Sequence, residues 1–153
     1  MALALRFKRG FDRVAGAIGQ MNDDQMWQRP SSKSNSVGII LQHLTGNLNQ
    51  WVCDALGNRT YQRNRPEEFE DRRSVPKHEL AANFASLGAS VQEIVMKISP
   101  DSLLSPRHIQ GSEETVMSAL LAAVTHLELH AGQITYIAKL LLNENYQEHK
   151  RST

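Results

Sequence analysis

Apolar residues recur along this chain at steps of three and four, the period of an amphipathic helix, in four separate segments; no stretch alternates convincingly as a strand would. In the first, Leu3, Phe7, Phe11, Val14, Ile18 and Met21 share a stripe, and Gly10, Gly16 and Gly19 weaken the helix enough that packing must hold it. Asn22-Asp23-Asp24 opens a polar connection reaching Pro30, with Trp27 inside it as an anchor on the core. The second helix starts at Ser36, a good N-cap, and carries Ile40, Leu41, Leu44, Leu48, Trp51, Val52 and Ala55 as far as Gly57. The third begins around Ser74 to Pro76, carries Leu80, Phe84, Leu87, Val91, Ile94 and Ile98, and stops at Ser99-Pro100-Asp101.

Leu103 to Gly111 reads as irregular or briefly extended. Glu113, Glu114 and Thr115 then start the last helix, their carboxylates suiting its positive end, and it runs to about Leu142. Residues 143–153 form a polar tail. The pattern predicts a single all-α domain over 1–153, a four-helix bundle with a long crossover between helices two and three. That crossover, 58–73, mixes charges of both signs; it either shapes a site or is a solvated linker with internal ion pairs.

Composition narrows the function classes. At 153 residues, 41% hydrophobic and 22% charged, the chain suits one globular domain with a real core. A net charge of +1 gives no electrostatic reason to expect nucleic acid or an anionic membrane as partner. The one cysteine, Cys53, excludes an internal disulfide framework and a cysteine zinc knuckle, and reads as a small buried hydrophobe. At the N-terminus the basic residues follow the apolar ones, the reverse of a secretory signal, and Asp12 argues against a transit peptide. No run approaches the ~18 apolar residues that span a bilayer. A cytoplasmic protein is the expectation.

Chemistry concentrates in the last helix. His126 and His130, four apart, lie on one face one turn from each other, on a core stripe with Ala119, Ala123, Ile134, Ile137 and Leu141. Two adjacent imidazoles on a core face need either hydrogen-bond partners or a shared metal ion. His43, at the edge of the apolar face of helix two, is the candidate third ligand. Three neutral imidazoles would bind a divalent transition metal, with nickel, zinc, iron and copper all suited, and leave positions open. Asn47 and Gln133, one turn beyond His43 and His130, are candidates to orient an imidazole, or are ordinary interhelical hydrogen bonders. Glu128 should point away from the histidine face, and Trp51 and Tyr136 either pack in the core or line a pocket. His78, His108 and His149 read as surface residues.

Several enzyme classes lack their residues. The central pattern is not His-Glu-x-x-His, so the base of the zinc proteases is missing. The paired Glu-x-x-His units of di-iron bundles, a phosphate-cradling glycine loop and a Gly-x-Ser-x-Gly elbow are absent too.

The segments His43-Leu44-Thr45-Gly46-Asn47-Leu48, Arg65-Pro66-Glu67-Glu68-Phe69-Glu70-Asp71-Arg72 and His126-Leu127-Glu128-Leu129-His130-Ala131-Gly132-Gln133-Ile134, in this order, resemble the DinB/YfiT-like metal-binding superfamily, in a functionally undefined branch. The resemblance implies up-down-down-up connectivity and a divalent ion, nickel, zinc or a similar metal such as manganese, held by His43, His126 and His130. It implies a homodimer and, as in several relatives, a metal-dependent transferase, isomerase or hydrolase acting on a small-molecule substrate with a low-molecular-weight thiol. The sequence shows no thiol-binding signature and names no general base. The rival readings are a non-catalytic metal or small-molecule binding protein, or a dimeric helical module with a vestigial site.

Overall fold

A computed structural model describes residues 2–72 and 75–148. It is predominantly helical, with α1 (Ala2–Ile18), α2 (Asp23–Trp27), α3 (Val37–Leu48), α4 (Lys77–Lys97) and α5 (Val116–Leu142), plus one small hairpin of β1 (Pro106–Ile109) and β2 (Ser112–Thr115). Helix α1 packs against α4 and α5, and α3 packs against the same two. Among the described residues no helix is long and apolar enough to cross a membrane.

The helical stripes become the core. Phe7, Val14, Leu41, Leu44, Leu48, Val91, Leu120, Leu127 and Ile134 are fully enclosed. Gly10 lets α1 approach α5 closely: a Cβ there would stand 2.7 Å from Leu127 Cδ2. Ser36 caps α3 as expected, its side chain accepting from the Ile39 amide. Beyond Leu48 the helix loosens into a π-helical stretch, Asn49–Asp54, which keeps Val52 and Cys53 buried. It closes with Gly57 N–H donating to the Val52 carbonyl at 2.9 Å.

Four details differ from the periodicity reading. Helix α1 stops at Ile18, and the next polar segment winds into α2, capped by an Asn22/Gln25 capping box, with Trp27 inside the core. Helix α4 begins at Lys77, after the expected start around Ser74 to Pro76, so Pro76 is its cap residue, and Ser74 lies outside the described residues. Glu113 and Glu114 belong to β2, paired with His108 and Arg107, and α5 is capped by Thr115, which accepts from the Ser118 amide. Of the tail, Asn143–Asn145 form a 3-10 turn, while 149–153, His149 included, lie outside the described residues.

The crossover folds back on the bundle. Its 3-10 turn Pro66–Phe69 packs on α3, where Gln42 Nε2 donates to the carbonyls of Glu68 at 3.2 Å and Glu70 at 3.0 Å. Two amide hydrogen bonds thereby dock the middle of a long connection beside the candidate third histidine.

Candidate metal centre

Helical periodicity alone puts His126 and His130 on one face of α5, one turn apart, and their ring centroids are 4.4 Å apart. Helix α3 faces α5 and brings in His43, whose ring centroid is 5.0 Å from that of His126 and 5.1 Å from that of His130. The rings stand nearly perpendicular to one another, with interplanar angles of 72°, 79° and 82°. One nitrogen from each ring lies within 4.8 Å of the others. A metal bond of about 2.1 Å to each imidazole would separate the donors by roughly 3.0–3.4 Å, so small ring rotations would let all three nitrogens hold one ion. His43 Nε2 and His126 Nε2 are already 2.9 Å apart.

The electrostatics favour the neutral ring, the form that ligates. His126 is pushed down to about 4, first by burial and then by His130, His43 and Arg63, against an opposing pull from Glu68. Burial also lowers His130, assisted by His43 and opposed by its hydrogen bond to Gln133. His43 is buried, whereas His126 and His130 are only partly so, leaving one side of the cluster accessible.

Each ring is held differently. Gln133 Oε1 accepts from His130 Nδ1 at 2.6 Å. Asn47 Oδ1 is buried with no hydrogen-bond partner and touches none of the imidazoles through a hydrogen bond. His43 Nδ1 meets Glu68 Oε2 at 2.9 Å. Glu68 is itself buried and gripped by Arg63, with Nε 2.6 Å from Oε1 and Nη2 2.8 Å from Oε2. The Phe69 ring lies against His43 at 5.2 Å. Arg65 sits over the Phe69 ring, 5.9 Å from its centroid.

Residue pattern does not single out Glu68, Arg63 or Phe69; the only signal for Glu68 and Phe69 is that the segment from Arg65 to Arg72 carries part of the family resemblance, and Arg63 lies outside it. Glu128 points away, as the helical spacing requires, and pairs with Arg13 at 2.8 Å. Trp51 packs partly buried against the core, whereas Tyr136, at 65% exposure, stands outside it. Cys53 is buried and burial pushes its thiol up, away from a reactive thiolate. His78 is exposed, and His108 is exposed on β1 facing Glu113.

Comparison with known proteins agrees with this architecture. A crystal structure of a DinB-like protein from Bacillus subtilis is similar at a TM-score of 0.74 and 11% identity, covering 100% of both chains. One of a DinB-like protein from Bacillus cereus is similar at 0.73 and 11% identity, covering 91% of this chain and 90% of that one. A conserved protein from Enterococcus faecalis is similar at 0.73 and 16% identity, over 92% of this chain and 95% of that one. No curated protein matches the sequence. Residues 2–150 match the family described as Protein of unknown function (DUF1572), and the chain therefore belongs to that family, with a fold similar to that of the DinB-like structures.

Proposed function

We propose that this protein binds one divalent transition-metal ion through His43, His126 and His130, with coordination positions left open to a small molecule. The single observation that carries the reading is the convergence of three imidazole nitrogens within 4.8 Å, from two helices that are distant in sequence. Imidazole suits nickel and zinc first, with iron, copper and manganese as alternatives. The packing of α1 and α3 each against both α4 and α5 supports a four-helix bundle in up-down-down-up order, with the crossover joining the two parallel members.

The reaction class we assign is metal-dependent transfer or hydrolysis on a small electrophilic molecule, of the thiol-transferase type implied by the superfamily resemblance. A divalent ion held here would supply Lewis acidity, making a thiol or water in an open position more nucleophilic near neutral pH. The chain's own part is to keep His126 and His130 neutral, exclude water from the His43 side, and leave His126 and His130 partly open. Phe69, 40% exposed beside His43, offers an apolar wall to an incoming molecule.

The test is elemental analysis of protein purified without a metal-affinity tag. About one divalent ion per chain is expected, falling in His43→Ala and His126→Ala while circular dichroism holds. Metal-free protein that refuses both zinc and nickel would overturn the metal reading. Metal-loaded protein that turns over no electrophile with any of the common low-molecular-weight thiols would overturn the transferase assignment alone.

A further inference from the structure

We propose that Glu68, carried by the crossover, is a positioning residue for this centre: it fixes His43 as its Nδ1–H tautomer and thereby aims the Nε2 lone pair at the point where the three rings meet. The inference rests on the three-histidine reading above and adds residues that the histidine pattern does not contain.

The hydrogen-bond inventory decides the tautomer. An ionised carboxylate only accepts, so its 2.9 Å contact with His43 Nδ1 requires the proton to sit on that nitrogen. Arg63 donates to both carboxylate oxygens, at 2.6 and 2.8 Å, which keeps Glu68 an acceptor. Arg63 Nη2 also lies 3.5 Å from His43 Nδ1, but that contact is too long to compete with the carboxylate. With Nδ1 protonated, neutral His43 has a bare Nε2, and that atom faces His126 Nε2 at 2.9 Å. His126 must then be the donor in the metal-free protein, and His43 is already in its ligating form.

The surroundings are built for this carboxylate. Glu68 is 7% exposed and the Arg63 side chain 6%, so neither is a casual surface charge. Gly46, one turn along α3 from His43, makes the room: a Cβ there would stand 1.9 Å from Glu68 Oε1. Gln42, on the preceding position of α3, ties the backbone on both sides of Phe69 through the carbonyls of Glu68 and Glu70. A carboxylate on the far nitrogen of a ligating imidazole orients the ring and raises its basicity, and losing such a partner typically weakens metal binding about 10–100-fold.

The experiment combines two readouts. Nitrogen-15 NMR of the metal-free wild type should show His43 with Nδ1 protonated and Nε2 bare. Zinc affinity, measured by competition with a chromophoric chelator, should fall about 10–100-fold in Glu68→Gln and in Gly46→Ala, with helical circular dichroism retained. Gly46→Ala displaces the carboxylate sterically without altering its chemistry, so agreement between the variants isolates position as the cause. Wild-type His43 in the Nε2–H tautomer, or a folded Glu68→Gln protein that binds zinc as tightly as the wild type, would overturn the proposal. Should a variant fail to fold, the wild-type tautomer decides alone. A wild type that takes up no zinc overturns the metal reading, whereas the NMR result still judges the Glu68–His43 link.

Discussion

Replacing Arg63 with methionine removes the guanidinium from a pair that is almost wholly enclosed, and the cost follows from what is left behind. Glu68 would keep His43 as its hydrogen-bond partner but lose both Arg63 donors while remaining buried. Breaking a buried ion pair from one side costs about 3–5 kcal/mol, because the surviving charge stays desolvated without compensation. Here part of that is relieved, since His43 Nδ1 still donates to the carboxylate; a net loss of roughly 2–4 kcal/mol remains. For a chain of this length that lowers the melting temperature by roughly 5–15 °C. Urea and thermal unfolding of the metal-free protein at pH 7 would measure it. Arg59→Met provides the contrast, because the Arg59–Glu93 pair, 3.3 Å apart, is about half exposed on both sides and its loss should move the midpoint little. Adding Glu68→Gln to Arg63→Met should recover part of the loss, giving a sizeable coupling energy in a double-mutant cycle. A loss below about 1 kcal/mol for Arg63→Met would show that solvent reaches this pair as it reaches a surface one, and would refute the buried-clamp argument.

Other consequences can be checked with similar means. His126 is depressed to about 4 when folded but titrates near 6.5 when unfolded, so the unfolded chain binds more protons between those values. Metal-free stability should therefore rise with pH through that window and fall on acidification, by about 1–2 kcal/mol after allowing for the ring's partial exposure; a pH slope unchanged in His126→Gln would contradict this. Gly10→Ala should destabilise by about 1–2 kcal/mol despite alanine's better helix propensity, because Leu127 is enclosed and cannot move aside, and a stabilised variant in urea titration would show that α1 and α5 have slack. Thr115→Ala, removing the N-cap of α5, should cost about 0.5–2 kcal/mol, with no change in urea midpoint as the contrary result.

What the sequence disclosed was set by length and period. The α3, α4 and α5 stripes repeat over several turns, so one substitution or a glycine does not hide them, and Ser36 marks its helix start by a local hydrogen bond. Helix α2 has only five residues, too few to show a period, although its Asn22/Gln25 cap is visible. The hairpin escaped because its turn, Gln110-Gly111, holds a residue other than Asn or Asp at a position with φ of 53°, and because Glu113 and Glu114 are as natural at a helix start as on an exposed strand. Glu68 and Arg63 illustrate a harder limit. They sit among Arg65, Glu67, Glu70, Asp71 and Arg72 in a stretch whose charges look alike in composition, and only the packing of Pro66–Phe69 on α3 separates buried from solvated.

A helix fixes where an imidazole is attached but not how its ring is turned, and the three rings differ in how that freedom is removed. His43 is constrained from the crossover by Glu68, and His130 from its own helix by Gln133 three residues on. His126 has neither kind of support among the described residues: its hydrogen bond runs to His43 Nε2, the atom an incoming ion would claim. Two rings are thus set before metal arrives, while the third must give up that bond and either move its proton from Nε2 to Nδ1 or turn its bare Nδ1 inward to join them. Metal uptake by the neutral ring should accordingly release no net proton from His126, and the affinity should fall only as the pH drops into the range in which the rings protonate. The long crossover, which the sequence leaves open as a site-shaping segment or a solvated linker, carries the carboxylate that holds the buried His43 ring in place.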